Sequence, residues 1–150
     1  MLLIVVFPIR YTSAKPYERL PSILTPSEQY FYRVLSSTVN GQAIIMAKVR
    51  IADLLKVRKS IKQKHFWSYF SKISQKHIDF VLLDPSTLKT ICLIELDDKS
   101  HHQFNRSQRD KFVDKIMQQA EIPLYRFRVK RRYERQEIIQ KLDNCLSNKL

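Results

Sequence analysis

Ile94-Glu95-Leu96-Asp97-Asp98-Lys99-Ser100-His101-His102 decides how the rest of the chain is read. It begins as the end of the β-type run Lys89 to Asp97 and turns abruptly into carboxylates, a lysine and two histidines. A second apolar run, Ile78-Asp79-Phe80-Val81-Leu82-Leu83-Asp84, precedes it across the short turn Pro85-Ser86-Thr87. So short a connection predicts an antiparallel hairpin. With the turn centred on Ser86 to Leu88, Asp79 faces Glu95. Directly opposed side chains have Cβ atoms about 4.5–5.5 Å apart. Glu95 and Asp97 are two residues apart and share one face of their strand, so three acids are expected on one patch. Like charges at that spacing repel and shift pKa values. A hard divalent cation, Mg²⁺ (or Mn²⁺), relieves the repulsion and is commonly held by one or two carboxylates plus phosphate oxygens. Taken singly, each acid reads as a solvated strand end paired to Lys99 or Arg109. Two opposed acids closing apolar strands favour a site. Asp98 and His102 read as solvated loop residues.

Working outward, Thr25-Pro26-Ser27-Glu28 is a helix start: Thr25 caps, Pro26 fits the first helical position, and Glu28 completes a capping box. Tyr30, Phe31, Val34 and Leu35 continue it at helical spacing, with an end near Ser36 or Ser37 and a turn at Asn40-Gly41. Ala43 to Ile51 reads as a mostly buried strand, and Asp53 to Val57 as a short helical turn. Lys56 to Lys76 is basic and laced with aromatics, and helical pieces are expected there. Asn105 to Ala120 carries the stripe Phe112, Val113, Ile116, Met117 and Ala120. Pro123 to Arg128 is a last strand. Ile138, Ile139, Leu142, Cys145 and Leu146 mark the buried face of a final helix. The order helix, strand, strand, strand, helix, strand, helix predicts an α/β domain over residues 25–150, a mixed β-sheet flanked by helices on both faces. Residues 1–24 form an N-terminal apolar and irregular arm.

Bulk composition narrows the function. The chain has 150 residues, 44% of them apolar, enough for a single domain with its own core. Cys92 and Cys145 read as buried reduced thiols. Twenty-seven Lys and Arg against 14 Asp and Glu leave a net charge of +13. That surplus favours nucleic acid first and an anionic membrane second. Gly41 is the one glycine, which excludes glycine-rich phosphate loops and the nucleotide chemistry built on them. Met1 to Phe7 is too short to span a bilayer and makes a poor signal peptide. A cytoplasmic protein is expected, with membrane contact through Met1–Phe7 as the lesser alternative. Zinc is disfavoured, because no Cys/His cluster has ligand spacing.

The motifs Thr25-Pro26-Ser27-Glu28, His77-Ile78-Asp79-Phe80-Val81 and Ile94-Glu95-Leu96-Asp97-Asp98-Lys99-Ser100-His101, followed by Arg109-Asp110, resemble the DUF2726 family and the related very-short-patch-repair-like nucleases. More broadly they resemble the PD-(D/E)XK superfamily core, over roughly Leu24 to Arg128. The resemblance implies a restriction-endonuclease-like fold and Mg²⁺-dependent hydrolysis of DNA. It makes Asp79 and Glu95 metal ligands, with Asp97 beside them, and brings Glu28 to the site from the first helix. The superfamily's usual lysine, two residues after the acid, is replaced by Asp97, a known variant pattern. Lys99 shares strand parity with Glu95 and is one substitute. His101 is another, as general acid/base or as ligand, against an equal reading as a polar loop residue.

Two basic surfaces suit a polyanion. Lys62, Lys64 and Trp67 belong to the first, where cations bind phosphates and aromatics stack on bases; at least half of its aromatics are expected in the core. Arg126, Arg128 and Arg131 belong to the second. DNA ranks ahead of RNA as partner, and oligomeric state is left open. Two functions follow: a metal-dependent nuclease, or a non-catalytic nucleic-acid binder that keeps the nuclease fold.

Overall fold

The computed structural model describes residues 15–97 and 103–147. Met1–Phe7, Asp98, Lys99, His101 and His102 lie outside the described residues. The elements run α1 (Pro26–Val39), β1 (Ile44–Arg50), α2 (Ile51–Leu54), α3 (Gln63–Ser74), β2 (His77–Leu83), β3 (Thr90–Asp97), α4 (Gln103–Gln119), β4 (Leu124–Arg128) and α5 (Arg135–Ser147). Among the described residues the four strands form one mixed sheet in the order β1-β2-β3-β4. β1, β2 and β3 pair antiparallel, and β4 joins β3 in parallel. A parallel neighbour requires a crossover, and α4 supplies it.

Two apolar layers hold the sheet. On one, Phe31 and Leu35 of α1 and Ile138, Leu142 and Cys145 of α5 pack with Phe80, Leu82, Ile94 and Phe127. On the other, Ile51, Ile73, Val113 and Met117 of α2, α3 and α4 pack with Val81 and Leu93. Both faces of β2 and β3 are therefore covered, which is why their sequences read as near-continuous apolar runs. Cys92 and Cys145 meet inside the first layer as free thiols, Sγ to Sγ 3.1 Å. Mutual hydrogen bonding, then burial, pushes the Cys92 thiol far above its ordinary range. No helix among the described residues is long and apolar enough to cross a membrane.

Local chemistry sets the boundaries. Glu28 N–H donates to Thr25 Oγ1 at 3.4 Å and Thr25 N–H donates to Glu28 Oε2 at 2.8 Å, a reciprocal capping box. α1 runs past Ser37 to Val39, because Asn40 takes a left-handed conformation (φ 44°) and returns its N–H to Ser36 O. The β2–β3 turn is nucleated by Asp84, whose Oδ1 accepts from the N–H groups of Ser86 (2.9 Å) and Thr87 (2.8 Å). Leu88 closes it at φ 58°.

Two sequence expectations are corrected. β1 is not mostly buried: it is an edge strand, with Ile44 and Met46 exposed, because only β2 pairs with it. The aromatics of α3 do not enter the core. Trp67 and Tyr69 are exposed, and Phe66 and Phe70 are only half-buried. Helical spacing brings Phe66, Trp67 and Phe70 against one another rather than against the sheet, Phe66 stacked on Phe70 at 5.8 Å and Trp67 edge-on to both.

Candidate active site

The site is built on one row across the sheet. The antiparallel register Phe80↔Ile94, continued by one residue, sets Asp79 opposite Glu95. On the other side of β2, the partners Ala47↔Phe80 and Val49↔Ile78 flank Lys48 and Asp79. In β4, Arg126 stands opposite Glu95. The row therefore reads Lys48, Asp79, Glu95, Arg126: a cation at each end and two carboxylates between.

Lys48 is the residue that sequence reading missed. Its ammonium donates to Glu28 Oε1 at 2.6 Å and to Asp79 Oδ1 at 3.0 Å, joining α1 to β2. It sits at φ 55° in the middle of a strand, a left-handed conformation that costs a non-glycine residue about 1–2 kcal/mol. Backbone strain of this kind concentrates at functional sites. Burial works to lower the Lys48 pKa, but the hydrogen bonds and charges of Glu28 and Asp79 outweigh it, so the amine is held above the ordinary lysine value. The signal in the sequence was a lone lysine inside the apolar run Ala43 to Ile51.

Glu28 is shared. One carboxylate oxygen closes the capping box and the other holds Lys48. Asp79 is equally committed: Oδ1 meets Lys48 and Oδ2 accepts the Leu96 N–H at 2.9 Å. Glu95 is 8% exposed. Burial, then the Asp79 charge, pushes its pKa up to about 8, against the opposing pull of Arg109 and Arg126.

Asp97 turns elsewhere. Its Oδ1 lies 3.4 Å from an Arg126 guanidinium nitrogen, and Arg126 also meets Asp110 at 3.6 Å and Asp114 at 3.0 Å on α4. Burial opposes and these acids outweigh it, so the Arg126 pKa is raised. Among the described residues Asp97 is thus an ion-pair partner of Arg126, the residue that stands opposite Glu95. Among the described residues no group of three His, Cys, Asp or Glu is arranged to hold a metal ion. Two carboxylates still suit Mg²⁺, which keeps waters or substrate phosphates in its remaining positions.

Beside Asp79 opens a cleft of about 340 Å³, lined by Lys48, Gln75, Lys76, His77, Asp79 and Arg109. Lys76 and His77 arrive from the α3–β2 junction and Arg109 from α4. Cations of three elements therefore surround one acid. Of the residues expected to contact nucleic acid, Lys62, Lys64 and Trp67 are exposed near the start of α3, away from the cleft lining, and Arg128 and Arg131 are exposed at and beyond the end of β4. Arg126 serves as the countercharge of α4.

An α/β domain with two opposed acids, one buried and the other lining a cationic cleft, is the class that fold and site define. The chain belongs to the family described as "Protein of unknown function (DUF2726)", whose model matches residues 21–145. Searches of curated proteins and of solved structures each returned no match.

Proposed function

We propose that the protein is a metal-dependent nuclease that hydrolyses DNA phosphodiester bonds, on a restriction-endonuclease-like variant of its α/β fold related to the PD-(D/E)XK superfamily. One observation carries the reading: Asp79, opposed in register to the buried Glu95, lines a cleft whose other charged walls, Lys48, Lys76 and Arg109, are cationic. An anion is drawn there by three elements at once, and the acids need a cation to accept it.

Asp79 and Glu95 would hold Mg²⁺ or Mn²⁺, which when bound polarises the phosphoryl group and activates water. The remaining tasks belong to side chains. Lys76 and Arg109 bind phosphate oxygens of the strand. Lys48 fills the office of the superfamily's usual lysine, whose place in sequence Asp97 occupies: its ammonium reaches Asp79 from β1 and is aimed by Glu28. A charged donor held in place stabilises the negative charge that develops on phosphorus-bound oxygens. Glu28 is then a positioning residue rather than a ligand.

The test is cleavage of plasmid and single-stranded DNA with Mg²⁺ or Mn²⁺. Wild type is expected to cut and Glu95→Ala to be inactive. Equal products from both, or none from either at any metal concentration, would end the nuclease reading.

A second reading, a non-catalytic binder on the same fold, draws on the same contacts: Lys48 already neutralises Glu28 and Asp79. It expects salt-sensitive DNA binding that survives Asp79→Ala and Glu95→Ala without hydrolysis.

A further inference from the structure

A second depression lies beside the cationic cleft, a groove of about 540 Å³ between α3, α4 and the segment after α2. Its floor is apolar: Leu55, Ile61, Ile73, Phe112 and Ile116. Its charged lining is uniform: Lys56, Arg58, Lys72 and Lys115, with no carboxylate among the described lining residues. Tyr69 stands in the same wall, 49% exposed, with the Lys72 ammonium 5.4 Å from its ring centre. An apolar floor with a rim of one charge sign suits a polyanion that also presents flat apolar faces.

Groove and cleft are joined. Lys76 lines the cleft, and its ammonium lies 5.4 Å from the ring centre of Phe112, which lines the groove. Lys76 also donates to Lys72 O at 2.7 Å, tying the cleft residue to a groove residue. Cationic side chains thus run from Lys48 and Arg109 through Lys76 to Lys72 and Lys115.

We infer that the groove seats an unpaired segment of the DNA strand whose phosphodiester occupies the cleft. Bases lie on the apolar floor and stack on Tyr69, and their phosphates meet Lys56, Arg58, Lys72 and Lys115. Paired bases hide their faces and have no use for such a floor, so the preferred substrate carries single-stranded DNA, as a tail, gap or flap, next to the cut. This rests on the nuclease reading for what happens in the cleft, but the binding itself does not require turnover. An acidic amphipathic peptide would satisfy the groove's charge alone. The continuity with a cleft of phosphate-binding character favours the nucleic acid.

The experiment measures anisotropy of labelled oligonucleotides with the full chain in EDTA. A single strand, an abasic strand of equal length and a blunt duplex are compared on wild type and Tyr69→Ala. Tyr69 is half in solvent, so its truncation leaves the core intact, and Lys115→Gln at an exposed position serves as a second groove variant. The expected result is a preference of about tenfold or more for the based over the abasic strand. Tyr69→Ala abolishes that preference while abasic binding persists, and Lys115→Gln weakens both strands. Equal affinity for based and abasic strands, a stronger affinity for duplex, or a preference untouched by Tyr69→Ala overturns the proposal. Tyr69-dependent capture of an acidic amphipathic peptide with no strand preference overturns it in favour of a protein partner. A wild type that shows the strand preference but never cleaves keeps the groove and removes the nuclease. One that cleaves duplex DNA equally with and without Tyr69 does the reverse.

Discussion

Glu95 and Lys48 are the two residues on which the proposed chemistry rests. Each is abnormal for its location: a carboxylate buried beside another carboxylate, and a lysine strained into a strand. The Glu95 pKa of about 8 lies above the ordinary unfolded value near 4.3. Between those values the folded protein binds more protons than the unfolded chain, so stability falls as pH rises through the window. Each pH unit there costs about 1.4 kcal/mol as an upper figure. Metal-free protein in EDTA should melt at progressively lower temperature from pH 5 to pH 8. Glu95→Gln, which stays neutral, should flatten that slope and be the more stable protein at pH 8. Thermal melts of both across the range check the sign, and added Mg²⁺ should raise the wild-type melting temperature at pH 8 but not that of Glu95→Gln. For Lys48, the amine is the active feature. Lys48→Met should lower kcat by about a hundredfold or more, the scale of losing one preorganised charged donor, with KM little changed. Lys48→Arg should recover part of the loss, and steady-state kinetics on a cleaved strand reads both.

At the scale of elements, the helix start and the hairpin carry the site. Thr25 and Glu28 cap α1, and that same Glu28 aims Lys48, so the cap has a functional consequence beyond stability. Thr25→Ala should cost about 1 kcal/mol in chemical denaturation. It should also lower activity modestly, because the Glu28 backbone N–H loses its acceptor, the Thr25 hydroxyl, and the turn that places Glu28 loosens. Glu28→Gln, which can still hydrogen-bond to the cap N–H, should keep most of the stability and lose more of the activity. The hairpin acts through register. The turn at Asp84 and the irregularity between Leu82 and Leu83 phase the strands so that Asp79 meets Glu95. A slip of one residue would send every side chain of β3 to the opposite layer. β1, exposed at the sheet's edge, contributes its one cleft residue at the point where its conformation departs from the strand.

The whole molecule behaves as a cation. A net charge of +13 steers any polyanion toward it, and the cleft and groove give that attraction a direction. DNA affinity should fall steeply with salt, because each neutralised phosphate releases counterions. For a single strand the log–log slope is about −0.7 per phosphate contact. The four groove cations alone therefore predict a slope near −3 (~0.7 for each contact). Lys115→Gln should reduce its magnitude by about 0.7. Titrations at several salt concentrations measure both.

Much of this arrangement was legible in the chain. The capping box at Thr25, the hairpin about Asp84, the burial of β2 and β3 on both faces and the opposition of Asp79 to Glu95 all follow from short-range chemistry: side chains that satisfy nearby N–H groups, and a period of two that a tight turn phases. The exposure of β1 was not, because edge position depends on which strands lie beside it. Nor was the fate of the α3 aromatics, whose rings found one another before they found the sheet. Asp97 reads as a partner of Glu95 by parity, but its ion pair with Arg126, distant in sequence, was not legible. Lys48 is the clearest case. No local pattern ties it to Glu28, twenty residues before it, or to Asp79, thirty-one after. The order of strands and the placement of α1 over the sheet alone brought the three together. Sequence determined the elements and one acid pair; tertiary structure decided which cations surround that pair, because an ion pair is set by distance in space rather than along the chain.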